Sequence, residues 1–134
     1  MNDIVRPLIG VARYRRSAGM KDLDSRVVNC WTLVKWAYGE HGLVLPDFPA
    51  EQRDFLAEHG VRLPFRDIDA KGAVVFVHSS LPKHLHVGIA TGEGTVIHAT
   101  NRRETRGLSG SGGVFEVPIE NFVSEETFRG AYVI

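Results

Sequence analysis

The chain contains a single cysteine, Cys30, which directly follows Asn29 at the start of a segment with helical periodicity. Asn is a favoured cap at helix N-termini, so the pattern predicts that Cys30 lies in the first turn of a helix. Unsatisfied backbone N–H groups and the helix dipole stabilise an anion there, which predicts a thiol of lowered pKa. Such a thiol is a nucleophile, although a lone cysteine is more often a small buried apolar residue.

Two of the six histidines, His86 and His98, flank the Gly-rich segment TGEGT at 91–95. The apolar runs 86–90 and 96–99 on either side of it predict a β-hairpin. Antiparallel neighbours place side chains next to each other on one face, so we expect the two imidazoles to lie close together. A cysteine nucleophile needs a base, and the base needs a third group to orient it. The sequence therefore predicts a line of nucleophile, base and orienting residue, formed by Cys30, His86 and His98.

The elements that must position these side chains fall into two groups along the chain. Apolar residues at helical spacing predict a helix over 30–41 that ends at Gly42, and a second helix over 50–59 that ends at Gly60. From residue 72 the apolar residues instead form short runs, at 73–77, 86–90, 96–99, 114–117 and 129–134. Helices followed by about five strands at hairpin spacing predict an α+β fold with N-terminal helices packed on a central antiparallel sheet.

Length and composition limit the functions that need to be considered. The 134 residues fit a single domain, 1–134, with 43% hydrophobic and 24% charged residues, which is typical of a globular protein. Sixteen basic residues balance sixteen acidic ones, so there is no net positive field to attract nucleic acid. The basic groups at 13–16 and 102–106 are interpreted as solvated loops. No apolar stretch approaches the length of a membrane span, and the first residues show no secretion-signal pattern.

Four short motifs resemble the NlpC family of papain-like cysteine peptidases, which act on bacterial cell walls. They are NCWTLV at 29–34, GAVVF at 72–76, HVGI at 86–89 and GEGTVIHA at 92–99. They occur in the order and at the approximate spacing of that family, and the resemblance extends over about residues 10–134. The Cys-Trp-x-Leu-Val form is most similar to small members encoded in phage tail gene clusters.

The resemblance implies a papain-like NlpC-type fold and a role for several individual residues. Cys30 matches the family's nucleophile, His86 its general base and His98 its orienting third residue. Tyr14 matches loosely a tyrosine near the oxyanion position, but it follows Arg13 rather than the usual Pro, and a packed aromatic is an equally good interpretation. The family commonly has Asp-Cys-Ser-Gly, so a bulky Trp31 next to the matched nucleophile is a departure, which either reshapes the substrate cleft or marks the phage-type subgroup.

The activity implied by the resemblance is hydrolysis of the peptide stem of peptidoglycan, next to D-glutamate and a diamino acid, without a cofactor. Two alternatives remain open: a non-catalytic structural module of a phage tail tip, or acyl transfer or amide hydrolysis on another substrate. A domain without a secretion signal would be made in the bacterial cytoplasm and would need delivery, which incorporation into a phage tail supplies. Zinc binding by His78, His84, His86 and His98 is the less favoured interpretation, because further ligands are scattered. The Gly/Ser-rich segment 107–113 is predicted to be a mobile loop.

Overall fold

The computed structural model describes residues 2–15, 17–78, 85–100 and 112–134 of the chain. Within these ranges the α-helices are α1 (Asn2–Val5), α2 (Cys30–Gly39), α3 (Pro49–His59) and α4 (Ile119–Phe122). The strands are β1 (Arg13–Tyr14), β2 (Val27–Val28), β3 (Val61–Arg62), β4 (Val74–His78), β5 (Leu85–Ala90), β6 (Thr95–Thr100), β7 (Gly113–Pro118) and β8 (Phe128–Val133). Short 3₁₀ helices lie at Arg6–Leu8, Met20–Ser25 and Phe65–Asp67.

The strands that the structure describes form one sheet of eight, in the order β2-β1-β7-β6-β5-β4-β8-β3. The five predicted strands correspond to β4–β8, and the predicted hairpin is the antiparallel pair β5–β6. The prediction of about five strands is wrong in number, because β1, β2 and β3 extend the sheet at both edges. It is also wrong in being purely antiparallel, since β1 and β2 pair in parallel. Strands of two residues are too short to show an alternating pattern, so only tertiary pairing reveals them.

The predicted cap at the start of α2 is confirmed. The Asn29 side chain accepts a hydrogen bond from the Thr32 N–H (2.9 Å), and the Thr32 hydroxyl in turn accepts one from the Asn29 N–H (2.8 Å). The Asn29 amide also donates to the Ala18 carbonyl (2.8 Å), which ties the cap to the preceding segment. Because three hydrogen bonds hold the residue before Cys30, the start of the helix is fixed in position.

The opposite end of α2 is closed and anchored as well. Gly42 adopts the left-handed conformation (φ +83°), as predicted for a residue that follows a helix. The hydroxyl of the buried Tyr38 donates to the Gly72 carbonyl at 2.8 Å, immediately before β4. The apolar face of α2 packs in one buried cluster with the sheet, through Leu33, Val34, Ala37, Val87, Ile89 and Ile97. The helix that carries Cys30 is therefore held by its cap, its apolar face and a buried hydrogen bond.

The second face of the sheet is covered by α4 and by the segment around Phe65–Asp67. A separate buried cluster lies there, including Ile68, Val75, Val96, Val123 and Ala131. Side chains alternate between the faces of a strand, so Val87 and Ile89 face α2, whereas Gly88 between them lies against Phe122 of α4. None of the helices in the described ranges has the length and apolar character needed to cross a membrane.

Candidate active site

Cys30 is half-buried in the first turn of α2, as predicted, but its thiol does not have the predicted lowered pKa. Burial raises the pKa of the Cys30 thiol to about 11, while hydrogen bonds from the backbone N–H groups of Val87, Trp31 and Cys30 itself oppose that rise. Desolvation outweighs the amide groups because a thiolate loses more by leaving water than it gains from a few N–H dipoles. With its pKa raised in this way, Cys30 is a neutral thiol at neutral pH.

The hydrogen bond from Val87 places the Cys30 sulfur against the start of β5. Val87 directly follows His86, so the same stretch of backbone that contacts the sulfur also carries the imidazole predicted to act as base. Val87 is fully buried in the cluster beneath α2, which fixes this contact. The N–H of Val87 thus links the tip of α2 to the strand that carries His86.

The imidazoles of His86 and His98 are joined directly. His86 Nε2 lies 2.7 Å from His98 Nδ1, and the ring centroids are 5.0 Å apart with the planes at 78°. His86 is half-buried, whereas His98 is 4% exposed within β6. One of the two nitrogens in this bond must carry the proton and the other must accept it. The expected proximity of the two imidazoles is thus observed.

Trp31 and Phe48 form an aromatic pair beside Cys30. Their ring centroids are 5.3 Å apart, and the Phe48 side chain remains 55% exposed. Phe48 has φ +67° and ψ 144°, a conformation that L residues rarely adopt. The fully buried Gln52 joins both segments, because its amide donates to the carbonyls of Trp31 and Pro46, each at 3.1 Å. The buried Gln52 side chain therefore fixes the backbone next to both rings.

Tyr14 lies on β1, next to the strand that leads into α2. It is the register partner of Val28, two residues before Cys30, and it packs half-buried against the cluster beneath α2. This location is compatible with both interpretations made from the sequence, a neighbour of the oxyanion and a packed aromatic.

Phe122, the last residue of α4, was missed by the sequence analysis. Its ring centroid lies 5.6 Å from that of His86 and 5.0 Å from that of His98. A signal was present in the glycine of HVGI, Gly88, since a glycine within a strand often marks the close approach of another group. A Cβ at Gly88 would lie 2.9 Å from the Phe122 ring.

The histidines considered for zinc are not assembled in the part of the chain that the structure describes. His78 is exposed at the end of β4, and no group of three or more His, Cys, Asp or Glu side chains in these ranges is arranged to hold a metal ion. His84 and most of the segment 107–113 lie outside the described residues, although Gly113 is the first residue of β7.

Comparison with known proteins identifies the family. The sequence model of the NlpC/P60 family matches residues 13–119, a range that includes the cysteine and both histidines of the site. The chain belongs to the NlpC/P60 family. This NlpC/P60 chain is also 36% identical, over 73 residues, to a protein of Corynebacterium glutamicum named probable endopeptidase. That match covers 54% of the chain and 31% of the relative, so the chain spans about a third of the relative's length.

Solved structures support the NlpC/P60 fold. The NlpC2 structure from Trichomonas vaginalis matches 98% of this chain and 45% of its own, with TM-score 0.67 and 20% identity. The NlpC/P60 domain of the peptidoglycan hydrolase SagA matches 97% of this chain and 92% of its own, with TM-score 0.64 and 20% identity. An NLP/P60-family protein similar to lipoprotein, from Staphylococcus aureus, matches 97% of this chain and 38% of its own, with TM-score 0.61 and 18% identity.

Proposed function

We propose that this chain is a cysteine peptidase that hydrolyses the peptide stem of bacterial peptidoglycan, with Cys30 as nucleophile, His86 as base and His98 as the residue that orients His86. The single observation that carries the proposal is the 2.7 Å contact between His86 on β5 and His98 on β6. The residue after His86 is Val87, whose N–H bonds the Cys30 sulfur. Membership of the NlpC/P60 family and the endopeptidase name of its Corynebacterium relative support the chemistry.

The proposed roles of the two histidines require one particular set of proton positions. His86 can accept the thiol proton on Nδ1 only if its Nε2 already carries a proton, which it donates to His98 Nδ1. His98 then holds its own proton on Nε2. His98 thereby selects the tautomer of His86 that acts as a base, which is the role of the third residue in a catalytic triad.

The reaction begins with a neutral thiol. Since burial raises the pKa of Cys30 to about 11, the proton leaves the sulfur for His86 as the sulfur attacks the substrate carbonyl. The new C–S bond gives a tetrahedral intermediate, which expels the amine of the scissile bond. The amine takes the proton from His86, and a thioester with Cys30 remains.

In the hydrolysis of the thioester, water takes the place of the thiol as nucleophile and the Cys30 sulfur becomes the leaving group. His86 removes a proton from water as the water oxygen attacks the thioester carbon. The C–S bond then breaks, the carboxylic acid leaves, and the sulfur regains its proton from His86. The backbone N–H of Cys30 and the Tyr14 hydroxyl are the groups that we propose to stabilise the oxyanion in both steps.

Trp31 and Phe48 are proposed to form one wall of the substrate cleft. A half-exposed aromatic pair next to the nucleophile offers apolar surface to the substrate residue that flanks the scissile bond, and the methylene chain of a diamino acid fits such a surface. This supports cleavage between D-glutamate and a diamino acid.

The whole range 1–134 is proposed to act as a single domain. Incorporation into a phage tail, after synthesis in the bacterial cytoplasm, is proposed on the similarity of the Cys30-Trp31 segment to phage-encoded members. Tail-tip proteins are the partners that this proposal requires.

Incubation of the purified chain with defined muropeptides tests the proposal. We expect mass spectrometry to detect two fragments that separate at the D-glutamate–diamino acid bond, with a new free amine. Cys30→Ala should abolish the products. Acyl transfer would instead attach the glutamyl fragment to an added amine, and absence of any product from the folded wild-type chain would support a structural role in the tail.

A further inference from the structure

Phe122 completes a group of three rings with the two histidines. The Phe122 plane is tilted by 44° to that of His86 and stands at 73° to that of His98, with centroid distances of 5.6 and 5.0 Å. The two imidazoles are themselves 5.0 Å apart. Each ring therefore contacts the other two, and the phenyl ring covers both partners of the His86–His98 hydrogen bond.

Gly88 provides the space that this packing needs. A Cβ at Gly88 would lie 2.9 Å from Cζ of Phe122 and 2.6 Å from Cγ1 of Val96, both closer than side chains tolerate. Gly88 lies in the regular strand β5 and is not among the glycines with positive φ, so its backbone conformation does not require glycine. The packing of Val96 and of Phe122 against this part of the strand together explains why position 88 is a glycine.

The position of Phe122 is fixed at both ends of α4. The Ile119 N–H donates to the Gly94 carbonyl at 2.9 Å, which attaches the helix to the turn between β5 and β6. Val123, the residue after Phe122, is 5% exposed within the second buried cluster. A helix of four residues is not stable alone, so these tertiary contacts hold it in place.

From this arrangement we infer that Phe122 is a positioning residue that fixes the orientation of the His86–His98 pair. A hydrogen bond between two imidazoles does not by itself fix the rotation of each ring about its broad χ2 torsion. A phenyl ring packed on both imidazoles restricts that rotation and excludes water from one side. The effect of Phe122 on turnover rests on the proposed function, whereas its effect on the orientation of the two imidazoles does not.

Phe122→Leu tests the inference, because it keeps an apolar side chain and removes the ring. Phe65→Leu is the matched control, since Phe65 is also half-buried on this face of the sheet but packs on Phe128, with ring centroids 5.3 Å apart. We expect both variants to lower the melting temperature similarly. Only Phe122→Leu should lower kcat on muropeptides, by about 10- to 100-fold, with KM within twofold of wild type.

A spectroscopic measurement separates this inference from the proposed function. The ¹⁵N shifts of the imidazole nitrogens, correlated to carbon-bound ring protons, report the tautomer of each histidine without substrate. We expect Phe122→Leu to move the His86 and His98 shifts towards averaged tautomers, and Phe65→Leu to leave them unchanged. If the wild-type chain cleaves no muropeptide but these shifts respond as expected, the proposed function fails and the inference stands. Unchanged shifts in Phe122→Leu, or an equal loss of kcat in both variants, would overturn the inference.

Discussion

His86 and His98 form a 2.7 Å hydrogen bond although they are not opposite each other in the β5–β6 ladder. The ladder pairs Ile89 with Ile97 and Ala90 with Val96, and one further step in this register places His98 opposite Gly88. The two imidazoles are therefore diagonal neighbours on one face, which long and ring-shaped side chains can bridge. The space above Gly88, the residue opposite His98, is filled by Val96 and the Phe122 ring.

Removal of the proposed base should have the largest effect on turnover. His86→Ala takes away the proposed proton acceptor for the Cys30 thiol, and we expect kcat to fall by about 10²–10⁴-fold while the chain remains folded. Steady-state cleavage of a muropeptide and a circular dichroism spectrum measure the two properties. Retention of more than a tenth of the wild-type rate would assign the base to another group.

The activity of His98 variants should depend on whether the new side chain can accept a hydrogen bond from His86. Asn places an oxygen near the position of Nδ1 and can still accept from His86 Nε2, so we expect His98→Asn to stay within tenfold of the wild-type kcat. His98→Leu cannot accept this bond, and we expect a loss of about 10- to 100-fold. If His98→Leu lost stability but no activity, His98 would belong to the buried core alone.

The labelling of Cys30 should respond to pH as a buried thiol does. With a pKa raised to about 11, only a small fraction is thiolate at neutral pH, and this fraction increases as the pH approaches 11. We expect iodoacetamide to label the folded chain slowly at pH 6 and ever faster up to about pH 11. The labelling rate of the unfolded chain should instead level off above the pKa of a free thiol, about 8.5. Intact-mass spectrometry measures both, since Cys30 is the only cysteine. Rapid labelling of the folded chain at pH 6 would instead indicate a thiolate paired with a protonated His86.

Loss of the Tyr38 hydroxyl should destabilise the fold. Tyr38 is 4% exposed, and burial raises its pKa to about 12, so the hydroxyl remains a donor to the Gly72 carbonyl at any ordinary pH. Tyr38→Phe leaves this buried carbonyl without its donor, and we expect the free energy of unfolding to fall by about 1–2 kcal/mol in urea titrations. Activity per folded molecule should be unchanged, because the bond lies at the end of α2 remote from Cys30.

Two substitutions of Phe48 should separate backbone strain from aromatic packing. Both Phe48→Ala and Phe48→Gly remove the ring that packs on Trp31, but only glycine adopts φ +67° and ψ 144° without strain. We expect Phe48→Gly to be the more stable variant by about 1 kcal/mol, measured by urea unfolding. Equal stabilities would mean that this backbone conformation relaxes once the phenyl ring is absent.

Local interactions account for what the sequence by itself determined. Asn29 caps α2, Gly42 ends it, and the TGEGT segment connects β5 to β6, because each of these depends on residues within a few positions of one another. The five longer strands were also recognisable from their apolar runs. The motifs pointed to the family for the same reason, since each consists of contiguous residues.

Only the tertiary structure decided the remaining features, because they depend on residues distant in sequence. The strands β1, β2 and β3 exist through pairing with partners elsewhere in the chain, and the two-residue segments carry no pattern of their own. Phe122 reaches the histidines only because α4 docks on the second face of the sheet. The pKa of Cys30 was predicted in the wrong direction, because the helix terminus is visible in the sequence but the desolvation that outweighs it arises from the packing of the helix against the sheet.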